Sequence, residues 1–543
     1  MKKLSKYICV AVVLLCFGCT DDFEDINTDP NKTNATLFNA NYLLSQTQYS
    51  YSNTGYSQLL FQSMWTQVLA STFSYYGNGD KYRASGSFVS YQSSIFSDSY
   101  NAASRAFEMQ SLVKDKPELS NLYNIGTIMK VLCISRVSDT YGDAPYSEAL
   151  NAKGGITAPK YDTQQAMYTA MLTDLETAVK NLDAAKAGPT ADLFYGGNIA
   201  QWKKFGNSLM LRLAMRLTKV DAALAKTWTE KAVAGGVFTS IADNAKVATD
   251  NATGNANATT NALRVADDYR EVRWSKTFID YLKAKNDPRI TAIAEIAKNG
   301  YANNTNQDLA GDNTLALQIG LPNGYDLNGG DTDISKSANF PGDSPADPAI
   351  KDDKVARVGK YSRPRTAIFL DRSGTNFILT YAETELMLAE AKVRGWNVGT
   401  GTAADHYNNG VTAAIASLVQ FNKVAAPADA SIKAAIDATG TFLANNPLNV
   451  SSTENSLKQI NEQYWVTTGT LFNFIETWSN WRRSGYPVLT PVVYPGGFSN
   501  GTIPRRNPYG ANEPAQNPLN YTEAISRLGG SDSFTARIWW DKL

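Results

Sequence analysis

A repeated helical face constrains this chain more than any other feature. Between residues 202 and 217 apolar side chains return at Trp202, Phe205, Leu209, Leu213 and Leu217. Steps of three or four place them on one side of an α-helix, whereas a strand would need alternation. The pattern recurs at Met167, Met171, Leu175, Val179 and Leu182, and at Leu379, Ala382, Leu386, Ala389 and Val393. In the last segment Glu383, Glu385 and Glu390 precede Lys392 and Arg394, an order that suits the helix dipole, and Gly395 supplies a stop. Several helices come as pairs joined by turn signals, with small Ala residues between large apolar ones, as in stacked helix–turn–helix repeats of the tetratricopeptide type. Convincing period-2 segments are few. The predicted fold is all-α: a superhelix of tetratricopeptide-like helix pairs with long irregular loops and few short strands.

Loop-rich zones interrupt the helices at 243–261 and 299–356, and 395–440 is rich in small residues although Val411 to Val419 has a helical pattern. Loops this long inside a folded chain are usually functional or mobile. No clean linker divides the sequence, so a single helical domain is expected over 41–543.

The N-terminus reads as an address. Lys2, Lys3 and Lys6 precede an apolar run from Ile8 to Phe17, and Gly18 provides the small residue of a cleavage site. That run is too short to span a bilayer, so residues 1–18 form a signal peptide. Cleavage would leave Cys19 as the new N-terminus, in a context that resembles a bacterial lipobox, with Cys16 where Leu is usual. The acidic run Asp21, Asp22, Glu24 and Asp25 resembles the surface-export tag of Bacteroidetes-type lipoproteins. Residues 19–40 are therefore expected to be a lipidated N-terminus and tether. The alternative is plain secretion with a Cys19–Cys133 disulfide, but Cys133 sits in the apolar helical stretch IGTIMKVLCISRV, where a buried thiol is expected.

Composition excludes whole classes of chemistry. Lys plus Arg and Asp plus Glu are both 51, and no basic stripe stands out, which argues against a nucleic-acid binder. The single histidine, His406, rules out a multi-histidine zinc site. It lies in GTAADHYNNG and is expected on the surface or in a loop.

Three stretches could carry function. SDTYGDAPYSEAL holds Asp139, Asp143 and Glu148, which could be read as acid/base carboxylates or as turn chemistry after a helix. The second reading is preferred. WSNWRRSGYPVL offers Trp478, Trp481, Arg482 and Arg483, either as a sugar or anion site or as core aromatics with an Arg paired to a Glu of the 381–396 helix; the core reading is preferred. FSYYGNGDKYR is aromatic-rich and irregular. A sugar presents an apolar C–H face and a rim of hydroxyls, which Tyr75, Tyr76 and Tyr82 with Asn78, Asp80 and Arg83 would match. These six, together with Tyr325 of GLPNGYDLNGGDTD, are the candidate ligand-binding residues. In that second loop Asp326, Asn328, Asp331 and Asp333 are hard oxygen ligands of the kind that hold Ca²⁺, but the EF-hand order and closing Glu are missing and a solvated loop of Asx turns explains them equally. No other cofactor, no catalytic residue and no metal site is expected. Trp65 follows helical spacing with Phe61 and Val68 and reads as core.

The order of INTDPNKT, SDTYGDAPYSEAL, YGGNIAQWKKFGNSLMLRLAMRL, YAETELMLAEAKVRGW, EQYWVTTGTLFNFIETWSNWRRSGYPVL, IPRRNPYGANE and the terminal WWD resembles the SusD/RagB family of nutrient-binding outer-membrane lipoproteins, in its SusD-like branch. The resemblance implies a cell-surface binding lipoprotein, anchored in the outer membrane and facing outward, that captures a glycan or peptide. It also implies a partner, a SusC-type TonB-dependent β-barrel transporter. It implies a scaffold role for SDTYGDAPYSEAL and a place on the ligand surface for the N-terminal aromatic zone. An outer-membrane glycoside hydrolase and a purely structural surface protein are the competing expectations.

Overall fold

The repeated apolar faces fold as helices that pack on their neighbours in sequence. The computed structural model describes residues 38–83, 89–298, 306, 308–499 and 501–542. The signal peptide, Cys19 and the tether up to residue 37 lie outside the described residues. The longer helices are α1 (Asn41–Ser52), α2 (Val89–Val113), α3 (Ser120–Tyr141), α4 (Gln164–Asn181), α5 (Ile199–Arg216), α6 (Ala222–Ala234), α7 (Tyr381–Val393), α8 (Ala403–Ala416), α9 (Thr453–Thr470) and α10 (Phe474–Ser484). From α2 to α6 each packs on the next, and a second stack joins α7 to α8, α7 to α9 and α9 to α10. This chain of neighbouring pairs is the expected helical-repeat architecture. One continuous hydrophobic cluster runs from Ala40 to Trp540.

Strands are short and serve as clips. β1 (Leu69–Ser71) pairs antiparallel with β3 (Val272–Trp274), β2 (Ala245–Ala248) with β6 (Thr375–Leu379), and β4 (Ala294–Glu295) with β5 (Arg363–Pro364). The clips staple loop-rich segments onto the helical stacks. The first of them holds the 71–83 segment in place, with Ser71 opposite Val272.

Buried ion pairs fix how the two stacks meet. Arg216 of α5 bonds Asp139 of α3 at 3.1 Å and Glu476 of α10 at 2.5 Å. Arg212, one turn earlier, bonds Glu383 of α7 at 2.7 Å, and the Tyr464 hydroxyl of α9 bridges Glu476 at 2.7 Å and Glu383 at 3.0 Å. Asp139 also accepts from the indole of Trp540, which ties the C-terminal WWD to the scaffold. Asp143 accepts from the backbone amide of Gln164 and pairs with Arg527, and Glu148 accepts from the amide of Lys160. SDTYGDAPYSEAL thus joins helices. In WSNWRRSGYPVL, Trp478 and Trp481 are core, Trp478 packs 5.1 Å from the buried Trp65, and Arg483 reaches Glu390. Arg482 instead donates to the backbone carbonyls of Arg505 and Asp139.

One expectation needs correction here. His406 is neither exposed nor in a loop: it lies inside α8, buried, with Nδ1 2.7 Å from Glu385 and Nε2 3.2 Å from the Thr400 carbonyl. The 395–440 stretch is largely helical; its small residues let α8 lie close to α7, and a Cβ on Gly410 would meet Leu386 Cγ at 2.8 Å. Cys133 is buried and free, and burial pushes its thiol up to about 12.

Candidate functional site

The loops gather on one another where β1 leaves the helical stack. FSYYGNGDKYR is no irregular loop but a 3-10 turn (Ser74–Tyr76) followed by one α-helical turn (Gly77–Asp80). Gly79 is there for close packing: a Cβ would lie 2.0 Å from the Leu60 carbonyl oxygen. The turn drives Tyr76, Asn78, Asp80 and Tyr82 into the interior, each at most 3% exposed. This corrects four of the expected ligand contacts. Tyr82 packs against Phe498, and the Asn78 carbonyl accepts from the Trp65 indole. Asp80 is a keystone: it accepts from the amides of Ser71 and Gly324 and the side chain of Asn323, and pairs with Lys81 at 3.2 Å. It therefore locks the 320s loop onto the aromatic segment.

What remains at the surface is an aromatic platform. Phe73 and Tyr75 are half-buried and stacked, 6.0 Å between ring centres with an interplanar angle of 26°. Tyr56 and Tyr91 meet Tyr75 edge-on at 5.4 and 6.2 Å. Sequence reasoning does not single out Phe73, although it opens FSYYGNGDKYR, nor Tyr56 and Tyr91, which flank that stretch and are brought onto Tyr75 by the fold. Beneath the platform the Tyr56 hydroxyl donates to Asp268 at 3.0 Å. Burial pushes the Asp268 carboxyl up to about 6.

Phe73 also borders a cavity of about 380 Å³. Thr72, Ser74, Gly77, Lys81 and Arg83 contribute from the aromatic segment, Arg270 and Glu271 from beside β3, Asp326, Leu327 and Asn328 from the 320s loop, Ile350 and the 352–355 run from the next, and Tyr494 from near the C-terminus. Such a volume is in the range of small-molecule sites. Its walls carry Lys81, Arg83, Arg270 and Lys354 against Glu271, Asp326, Asp352 and Asp353, so the formal charges cancel. Among the expected residues, Arg83 is exposed and lines this cavity, Tyr75 stands on the platform, and Tyr325 is half-buried in an adjoining one.

The carboxylates here are engaged with protein donors. Glu271 accepts from the Thr72 hydroxyl at 2.7 Å, and burial raises its carboxyl above the usual range. Burial would also raise Asp326, but hydrogen bonds from Tyr494, the Asn328 amide and Thr332 outweigh it and hold the group low. Asp333 accepts from the amides of Gly329 and Ser335 and pairs with Arg357 at 2.6 Å. These are the Asx turns of the alternative reading. No three His, Cys, Asp or Glu side chains converge as a metal-ligand set among the described residues.

An all-α repeat scaffold with an aromatic-edged, charge-balanced cavity among its loops is the class of protein this architecture defines. The SusD-like family model described as "Starch-binding associating with outer membrane" matches residues 30–510, and the chain belongs to that family. Among solved structures it is similar to a chitin-binding protein, with 29% identity, 93% of this chain and 100% of that chain covered, and a TM-score of 0.75. A Bacteroidetes SusD-like protein aligns at 25% identity over 93% of this chain and 100% of its own, with a TM-score of 0.76. A SusD-like protein of Bacteroides thetaiotaomicron shares the fold at 21% identity, with 93% and 99% of the two chains covered and a TM-score of 0.69. A search of curated proteins finds no match. Among the described residues no helix is long and apolar enough to cross a membrane.

Proposed function

We propose that this protein captures a neutral glycan at the cell surface and passes it to a SusC-type TonB-dependent transporter. The observation that carries the reading is the stacked Phe73–Tyr75 pair, of which Phe73 borders a cavity whose charges cancel. Flat rings suit the C–H face of a sugar, the hydrogen-bonding rim suits its hydroxyls, and charge balance disfavours a uronic acid or a strongly charged peptide. The chitin-binding relative makes N-acetylglucosamine chains the first candidate ligand, and the family description makes starch the second. Lipidation at Cys19 would hold the protein on the outer membrane, with the following residues as tether. Pull-down on insoluble chitin and starch, using the mature chain, tests the reading: retention on one polysaccharide supports it and retention on neither refutes it.

A hydrolase is the second reading, because Glu271 and Asp326 line one cavity with their pKa values pushed apart. A glycosidase needs such a pair with both carboxylates facing the sugar. Against it, Asp326 is only 3% exposed and both its oxygens already accept hydrogen bonds. New reducing ends that disappear in Glu271→Gln would favour the hydrolase.

A further inference from the structure

The 380 Å³ cavity has a neighbour of about 450 Å³, bordered by Gln67, Lys276, Asp280, Tyr325, Asp331 and Val493. A wall formed by the 325–326 and 493–494 pairs divides them. Asp326 and Tyr494 line the first cavity; Tyr325 and Val493, adjacent to them in sequence, line the second. At the centre of the wall Tyr494 donates to Asp326 Oδ2 at 2.6 Å and Thr332 donates to the same oxygen at 2.8 Å.

The wall is built to stay. Gly324 has φ +87°, and a Cβ there would lie 2.7 Å from Val492 Cγ1, so the two loops meet at a contact only glycine permits. The 326–334 loop closes on itself through Asp326 N to Thr332 O and Ile334 N to Asp326 O, each 2.9 Å. Asp80 anchors its start through Asn323 and Gly324. Yet Val493, a large β-branched apolar side chain, stands 82% exposed beside this ridge. The second cavity is also near charge balance, since Lys276 pairs with Asp280 and leaves Asp331.

We infer that the ligand is an extended oligosaccharide that straddles the Asp326–Tyr494 ridge, with sugar units in both cavities and Val493 under the crossing unit. This rests on the glycan-binding reading above. Two linked half-sites gain affinity only once the chain reaches both. A free monosaccharide or a short oligomer fills one cavity and gains nothing from the other.

Calorimetry with chito- and malto-oligosaccharides of increasing length tests it on the mature chain. Affinity is expected to step up by about tenfold or more once a chain spans the ridge. Val493→Ser, at an exposed position that leaves the fold intact, and Tyr325→Ala should each reduce that step. Longer chains offer more binding registers and gain slightly without a second cavity, so sensitivity of the step to these variants is the decisive readout. Affinity independent of length, or a step that both variants leave whole, overturns the straddling mode while the glycan reading stands. No binding by any oligomer of either series overturns the glycan reading, and the inference with it.

Discussion

Arg483 of α10 grips Glu390 of α7 with two hydrogen bonds, Nη1 to Oε1 and Nη2 to Oε2, both 2.7 Å, and both side chains are about 1% exposed. Burial would raise the Glu390 carboxyl, but Arg483 and Arg394 outweigh it and hold the group well below its ordinary range. A buried pair of this kind sets helix register, and removing one partner strands a charge. Arg483→Met is expected to cost about 3–5 kcal/mol in chemical denaturation. Adding Glu390→Gln should recover part of that loss. A depressed carboxylate stabilises above its unfolded pKa and loses that contribution as pH falls through the lower folded value, so the pair remains a stabilising contact in mild acid.

Asp268 behaves in the opposite sense. Its folded value, about 6, lies above the 3.8 of a free carboxyl. Its stabilising contribution is complete below the unfolded value and is lost as pH rises through 6. Asp268→Asn should therefore gain stability relative to the parent on going from pH 4.5 to pH 7.5, on the order of 2 kcal/mol. Thermal melts of both proteins at the two pH values check it; a parent–variant difference that ignores pH would contradict it.

Two glycines in FSYYGNGDKYR should respond oppositely. At Gly79 a Cβ meets a backbone carbonyl at 2.0 Å, so Gly79→Ala forces α-turn and core apart and should cost about 2 kcal/mol or more. At Gly77 nothing lies within 4 Å and the backbone is helical, so Gly77→Ala should be neutral or stabilising by up to about 1 kcal/mol. Denaturant midpoints of the two variants report both outcomes.

Those glycines also show where the sequence was legible and where it was not. The Trp202–Leu217 face folded as read because its helix is long and strongly periodic, and its burial depends on local spacing. Thr380 and Glu383 form a capping box at the start of α7, a local signal in the same sense. The Arg–Glu contact between α10 and α7 is readable from sequence because both partners sit on helices of clear phase. The aromatic segment was not. Gly and Asn beside Tyr suggested an open loop, but Gly79 serves contact with Leu60, and Asp80 serves a loop more than two hundred residues away. His406 follows the same logic: the Gly and Asn around it mask a helix whose partner, Glu385, lies on another helix. Platform and cavity depend on non-local pairing, β1 with β3 and Tyr494 with Asp326, that no window of sequence contains.

Whether the Phe73–Tyr75 platform binds sugar is read directly from calorimetry with chitohexaose and maltohexaose. The parent should bind at least one of the two, and Phe73→Ala should weaken that affinity by about two- to tenfold, since an aromatic stack contributes about 0.5–1.5 kcal/mol beyond its buried area. Circular dichroism should show the fold retained. Undiminished affinity in the folded Phe73→Ala and Tyr75→Ala variants would mean that sugar binds elsewhere.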